Sequence, residues 1–213
     1  GSGKTLTSYK VACNLLQIPS IDKTIFIVDR VDLNQQTTES FASYAEFDPI
    51  SIDETDNVND LVKRLASDDR TVVVTTIQKL NHLMNRMAED ATERLTKTYE
   101  KIKKLKVAFI VDECHRAVTP QKKKELDQIF RYAMWYGFTG TPIFGELKKP
   151  TTTAMMYSSP QNCPTEENPN RSCLHQYTVK EAINDAAVLG FQIEYKNPLQ
   201  EDMMDDIIRH YHP

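Results

Sequence analysis

Val107-Ala108-Phe109-Ile110-Val111-Asp112-Glu113-Cys114-His115-Arg116, residues 107–116, is the stretch from which the fold can be read. Five apolar residues without alternation suit a strand buried on both faces, as in a parallel sheet. The strand then ends in two carboxylates. In open α/β sheets, ligands bind at the carboxyl ends of the strands. Three more short β-rich runs share this design: Ile25-Phe26-Ile27-Val28, Val72-Val73-Val74 and Tyr136-Gly137-Phe138. They lead into Asp29-Arg30, Thr75-Thr76 and Thr139-Gly140-Thr141. Four such junctions argue for one site along one edge of one sheet.

Helical patterns lie between these runs. Val58, Leu61, Val62, Leu65 and Ala66 recur at helical spacing, as do Leu126, Ile129, Phe130, Ala133 and Met134. Thr119 and Pro120 read as N-cap and first-turn proline of the second helix. Thr178 and Glu181 have capping-box spacing for a helix near 178–189, with a strand expected near 190–196. Strands alternating with helices predict an α/β sheet covered on both faces. Residues 146–176 differ: Pro150, Pro160, Pro164 and Pro169 break them into a long excursion. No internal repeat is visible.

Composition narrows the class. The 213 residues are 40% apolar and 26% charged, which argues against wholesale disorder. A net charge of -4 does not indicate a dedicated, strongly basic nucleic-acid module. The runs Lys101, Lys103, Lys104, Lys106 and Lys122, Lys123, Lys124 read as solvated helix faces. No apolar run is long enough to span a bilayer and no signal peptide opens the chain, so no membrane association and a cytoplasmic location are expected. Cys13, Cys114, Cys163 and Cys173 form no Cys-x-x-Cys pair. Cys163 and Cys173 with His175 lack a fourth ligand, so free thiols are the simpler reading.

Gly1-Ser2-Gly3-Lys4-Thr5 reads as the back half of a phosphate-binding loop. Glycines let backbone amides cradle phosphate oxygens, Lys4 would reach the β- and γ-phosphates, and the Thr5 hydroxyl would bind Mg²⁺. A helix from about Lys4 to Leu16 would aim its positive end at ATP. By itself the string also fits a tag remnant or chance. The strand ending in Asp112-Glu113 is its natural partner: Asp112 for the Mg²⁺ shell, Glu113 to orient or deprotonate the attacking water. An exposed acidic pair is the plainer alternative, but both motifs in this order favour a nucleotide hydrolase. With no initiator Met, the chain is expected to be cut inside its own phosphate loop. The strand feeding the loop would then lie before Gly1, the sheet would lack it, and the site around Gly1 to Thr5 would be disordered or empty.

Asp112-Glu113-Cys114-His115, then Phe138-Thr139-Gly140-Thr141-Pro142, resembles superfamily 2 helicases and translocases. More narrowly, Val28-Asp29-Arg30-Val31-Asp32-Leu33, Val74-Thr75-Thr76-Ile77-Gln78-Lys79-Leu80, Val111-Asp112-Glu113-Cys114-His115-Arg116 and Gly137-Phe138-Thr139-Gly140-Thr141-Pro142-Ile143-Phe144 resemble the R subunit of type I restriction enzymes. Late matches at Cys173–Tyr177, Ala182–Asp185 and Val188–Phe191 extend the likeness over nearly the whole chain, apart from 146–172.

The resemblance implies a RecA-like P-loop NTPase lobe, truncated at its N-terminal strand. It has a mostly parallel central sheet with helices on both faces. The lobe would span 1–145, the excursion 146–176, and 177–213 would end the lobe and start the connection to a second lobe. Implied roles are ATP binding by Gly1, Ser2, Gly3, Lys4 and Thr5, Mg²⁺ binding by Thr5 and Asp112, and catalysis by Glu113, Asp112 and Lys4. His115, Arg116, Thr139, Gly140 and Thr141 would couple nucleotide to DNA, and Arg30, Gln35, Thr75, Thr76 and Gln78 would touch DNA. Implied partners are double-stranded DNA and the methylation and specificity subunits. The nuclease domain would lie outside the chain. Without a second lobe and its arginine, weak hydrolysis and poor ATP affinity are expected.

Alternatives stay open. Another superfamily 2 DNA helicase or translocase lobe fits the same motifs, as does a non-hydrolysing DNA-binding scaffold lobe. Arg30 suits a phosphate contact or a surface cation. His115 suits coupling or simple packing. Glu194-Tyr195-Lys196 with Asp185 is a weak nuclease string, better read as an ordinary strand. Trp135 reads as core, Phe138 as buried, Tyr9 and Lys10 as helix packing and solvation. Met155-Met156 and Met203-Met204 carry no usable signal.

Overall fold

The computed structural model describes residues 4–28, 43–44, 51–89, 93–141, 156 and 174–190. Helix α1 (Lys4–Gln17) leads into β1 (Lys23–Val28). Then follow β2 (Ser51–Glu54), α2 (Val58–Ala66), β3 (Thr71–Thr76), α3 (Ile77–Glu89) and α4 (Glu93–Lys103). Next come β4 (Val107–Val111), the single turn α5 (Cys114–Ala117), α6 (Pro120–Ile129) and β5 (Met134–Gly137). A separate compact unit begins at Tyr177 and contains α7 (Val179–Asn184).

The five strands form one sheet in the order β2-β3-β1-β4-β5, and every pairing is parallel. β1, β3 and β4 are buried along their full lengths, as unalternating apolar runs require. Their side chains still alternate between two faces. Ile25, Ile27, Val73, Val107, Phe109 and Val111 pack with Leu61 and Leu65 of α2, Leu80 and Leu83 of α3, Tyr99 and Ile102 of α4, and Leu126 of α6. Phe26, Val28, Val72, Val74, Ala108 and Ile110 pack on the other face against Tyr9, Ala12, Cys13, Leu15 and Leu16 of α1. Helices thus cover both faces, and the fold is the α/β, RecA-like class that the sequence implies.

Local chemistry explains the helix starts. The Asn57 side chain accepts from the Asp60 amide at the head of α2. Thr119 accepts from Lys122 N ahead of Pro120, and Thr178 with Glu181 completes a capping box for α7. Three boundaries differ from expectation. Helix α7, expected to run to about 189, ends at Asn184, where Ala186 turns into the left-handed region at φ 55°. Helix α6 ends at Ile129, and Met134, counted in its period, instead opens β5. The chain turns because Phe130 is fully buried, edge-on to Phe109 at 5.5 Å, and Met134 pairs in register with Ala108. The strand near 136–138 therefore begins two residues earlier. The region expected as a strand near 190–196, the body of the 146–176 excursion, Cys163 and Cys173 lie outside the described residues, save Gly190, Met156 and residues 174–176. Among the described residues no helix is long and apolar enough to cross a membrane.

Trp135 stacks on Phe109 at 4.3 Å and donates its indole N–H to Asp127, so it is a core-edge residue. Tyr9 is buried with its ring near Tyr44, and Lys10 is exposed. Phe138 is only half-buried, because it lies just beyond the end of β5.

Candidate active site

The carboxyl ends of β4 and β5 and the first turn of α1 meet at one place. Lys4 opens α1, and its Nζ lies 2.9 Å from Glu113 Oε1, across 109 residues of chain. Thr5 follows in the same turn, and its carbonyl accepts from the Ser8 hydroxyl. Both residues, expected in a disordered or empty site, are the helical start of α1. Gly1, Ser2 and Gly3 lie outside the described residues, as do Arg30 and Gln35.

Glu113 stands at a forced corner. Its backbone takes φ 46° and ψ 47°, the left-handed region that a non-glycine residue adopts at a cost of roughly 1 kcal/mol or more. The corner is held on both sides. Asp112 N donates to Ile27 O, Glu113 N to the Asp112 carboxylate, and Cys114 N to Phe138 O. The turn carries Glu113 Oε1 to Lys4 and leaves Oε2 3.4 Å from His115 Nδ1.

Burial alone would raise the Glu113 carboxyl. The Lys4 hydrogen bond and charge, with His115 and Arg116 behind them, outweigh burial and hold it below the usual glutamate range. Cys114 responds oppositely: burial first, then the Glu113 and Asp112 charges, push its thiol up to about 12. It is a packed neutral thiol rather than a nucleophile.

His115 links the two strand ends. Its Nδ1 lies 2.8 Å from Thr139 Oγ1, and Thr141 Oγ1 is 3.4 Å from both ring nitrogens. Thr141 N donates to Thr139 Oγ1, closing the loop. Gly140 stands over Lys4: a Cβ there would sit 3.0 Å from Nζ. Arg116 is exposed beside this group. The structure thus brings together Lys4, Asp112, Glu113, His115, Arg116 and Thr139 to Thr141 from three separate parts of the chain.

The end of β3 is different. Thr75 and Thr76 are buried, so neither side chain presents a surface to a polymer. Thr75 Oγ1 accepts from Thr55 Oγ1, and Thr76 Oγ1 lies 3.4 Å from Lys79 N at the start of α3. Gln78 alone of the three expected contacts there is exposed. Sequence reasoning missed Thr55 and Lys79, whose ammonium reaches the Thr55 carbonyl and ties α3 to the start of α2. It also missed Met156, which packs against the core beside Gly137. No local pattern marks any of these.

A SWI2/SNF2 ATPase family model matches residues 1–209. A type I restriction enzyme endonuclease subunit of Staphylococcus saprophyticus is 37% identical over 207 residues, 96% of this chain and 20% of that protein. One from Staphylococcus aureus is 39% identical over 197 residues, 92% of this chain and 19% of its own length. The C-terminal part of a putative type I restriction enzyme endonuclease subunit from Mycoplasma pneumoniae is 39% identical over 132 residues, 61% of this chain and 59% of that protein. The chain spans about a fifth of the length of the two staphylococcal relatives.

Proposed function

This chain belongs to the SWI2/SNF2 ATPase family, and from that premise we propose that it is the ATP-hydrolysing motor lobe of a type I restriction endonuclease subunit, driving movement along double-stranded DNA. The observation that carries the reading is the Lys4–Glu113 contact. A lysine at a helix start and a strand-end glutamate meet although 109 residues separate them. The staphylococcal relatives, type I restriction enzyme subunits by name, support the restriction-enzyme setting.

The donor set fits Mg²⁺ and a polyphosphate. Thr5 offers a hydroxyl and Asp112 a carboxylate, hard oxygen ligands of the kind Mg²⁺ takes. Lys4 offers a point charge, and a bare Gly140 keeps the space beside it clear. When bound, the metal supplies Lewis-acid charge at the phosphate oxygens of ATP. The chain supplies the rest. Lys4 would bind phosphate and Glu113, kept ionised at neutral pH, would orient the attacking water and accept its proton. His115, within reach of Glu113, Thr139 and Thr141, would pass a change at the γ-phosphate to the β5 end, with Arg116 alongside. Gly1, Ser2 and Gly3 would complete the phosphate loop.

Contact with the DNA backbone is assigned to Gln78, Arg30 and Gln35. Thr75 and Thr76 then act beneath that surface, bracing the start of α3. Residues 1–145 would be the ATP-binding lobe, 146–176 an excursion from it, and 177–213 its end and the connection onward. Methylation and specificity subunits would be the protein partners.

The test is ATP hydrolysis by the full-length subunit, with and without duplex DNA. The reading expects DNA-stimulated turnover that Lys4→Ala and Glu113→Gln abolish. Unchanged turnover in both variants would refute it. Binding of DNA with no turnover in the wild type would favour a scaffold lobe instead.

A further inference from the structure

Gly137 is the last residue of β5, and its backbone lies outside the left-handed region. Conformational freedom therefore does not explain the glycine; space does. A Cβ at this position would fall 2.7 Å from Cys114 Sγ, 3.1 Å from Cys114 Cβ and 2.9 Å from Met156 Cγ. Real Cβ atoms do not approach Sγ or Cγ as closely as the two contacts under 3 Å, so something would have to move. Met156 is long and unbranched and can swing aside. Cys114 cannot easily do so. Its amide donates to Phe138 O at 3.0 Å, Phe138 N donates to Val111 O at 2.8 Å, and its side chain is buried. Its neighbours are Glu113, at the left-handed corner, and His115, on Thr139.

We propose that Gly137 is a positioning residue for ATP hydrolysis: its missing side chain lets Cys114 sit flush against β5, and this contact sets the distance of Glu113 and His115 from Thr139 and Thr141. The proposal rests on the ATPase reading above. Met156 closes the other side of the same slot.

Gly137→Ala, read with Cys114→Ala and the double variant, tests the contact. Misplacement of catalytic groups by about 1 Å can cost ~10²-fold in rate, so Gly137→Ala is expected to lower kcat by roughly tenfold to a hundredfold. The KM for ATP is expected to stay within about threefold, because Lys4 and Thr5 stand on α1 and do not move. Cys114→Ala/Gly137→Ala removes the shortest clash, and its kcat should return to near that of Cys114→Ala. If Gly137→Ala does not fold, Cys114→Val enlarges the same contact from the other side with the glycine kept. A loss of kcat is again expected. Wild-type turnover in Gly137→Ala overturns the proposal, and so does a loss that Cys114→Ala fails to relieve in a folded protein.

Ring ¹⁵N shifts of His115 provide a readout that needs no turnover. They should move in Gly137→Ala and return in the double variant. Moved and restored shifts in a protein without ATPase activity would refute the ATPase reading and leave the contact standing. Normal hydrolysis with unmoved shifts would do the reverse.

Discussion

At the carboxyl end of the sheet Lys4 reaches a carboxylate, Glu113 Oε1, at 2.9 Å. At the amino end Lys23 reaches the Ser67 hydroxyl at 3.0 Å and the Asp69 carbonyl. Lys4 keeps about a third of its side chain in solvent, whereas Lys23 is 1% exposed. Arg70, nearby, donates to the carbonyls of Leu16, Ile18 and Ile21, where α1 ends. Lys101 joins Lys23 at the turn after α2, on Ala66 O and the Asp68 carboxylate. The amino end thus holds its cations largely through backbone carbonyls and a hydroxyl, with the Asp68 carboxylate added at Lys101. The carboxyl end gives Lys4 to a partly buried carboxylate that a phosphate can replace. Cations at one end therefore act as fasteners, and the cation at the other is available for exchange.

Substitutions at the two lysines should separate these roles. Removing an electrostatic partner of the transition state typically costs about 10²–10³-fold in rate, so Lys4→Met is expected to lose at least that in turnover. Its melting temperature should barely move, since an ion pair still open to solvent is worth only ~0–1 kcal/mol. Lys23→Ala should do the opposite. It loses a buried stem and two hydrogen bonds, for a cost of about 3 kcal/mol in urea unfolding, with kcat retained. Comparable destabilisation in both variants would break the distinction. Arg70→Ala comes next. The side chain is exposed, so its three carbonyl contacts should contribute only ~1 kcal/mol together.

The carboxyl end is also the more legible one in the sequence. A strand running into Asp112-Glu113 and another into Thr139-Gly140-Thr141 advertise their chemistry, because buried parallel strands must be apolar up to the point where they leave the core. Polar residues at a strand start say less. Lys23 looks like a surface lysine until Ser67 and Asp69 are seen around it. Helices α3 and α4 escape sequence reading for a related reason. Only Leu80 and Leu83 of α3 are buried, and in α4 Tyr99 and Ile102 are set among charges that read as a solvated face. Thr75 and Thr76 mislead in the other direction. Threonine has the shape of valine, and whether its hydroxyl meets solvent or Thr55 depends on a partner twenty residues away. Met134 fits a helical period as well as a strand, and only the burial of Phe130 against Phe109 decides the turn between them.

A smaller effect bears on the same comparison through pH. The Glu113 carboxyl is held below its ordinary 4.5, so its pairing contributes stability in full above that value. The contribution is lost as pH falls through the lower, folded-state value. Stability of wild type minus Glu113→Gln, followed by urea unfolding, should therefore be flat above 4.5 and shrink below it. In the Lys4→Met background the largest opposing influence on the buried carboxyl is gone. Its folded-state proton affinity then rises toward or past the unfolded value, so the decline should shrink or reverse. Lys23→Ala should leave the decline as it is, because a hydroxyl and a carbonyl do not titrate in this range. A decline that changes equally in both lysine variants would mean that Glu113 senses the net charge of the whole domain rather than its one neighbour, and the contrast between an exchangeable and a fastened cation would lose its basis.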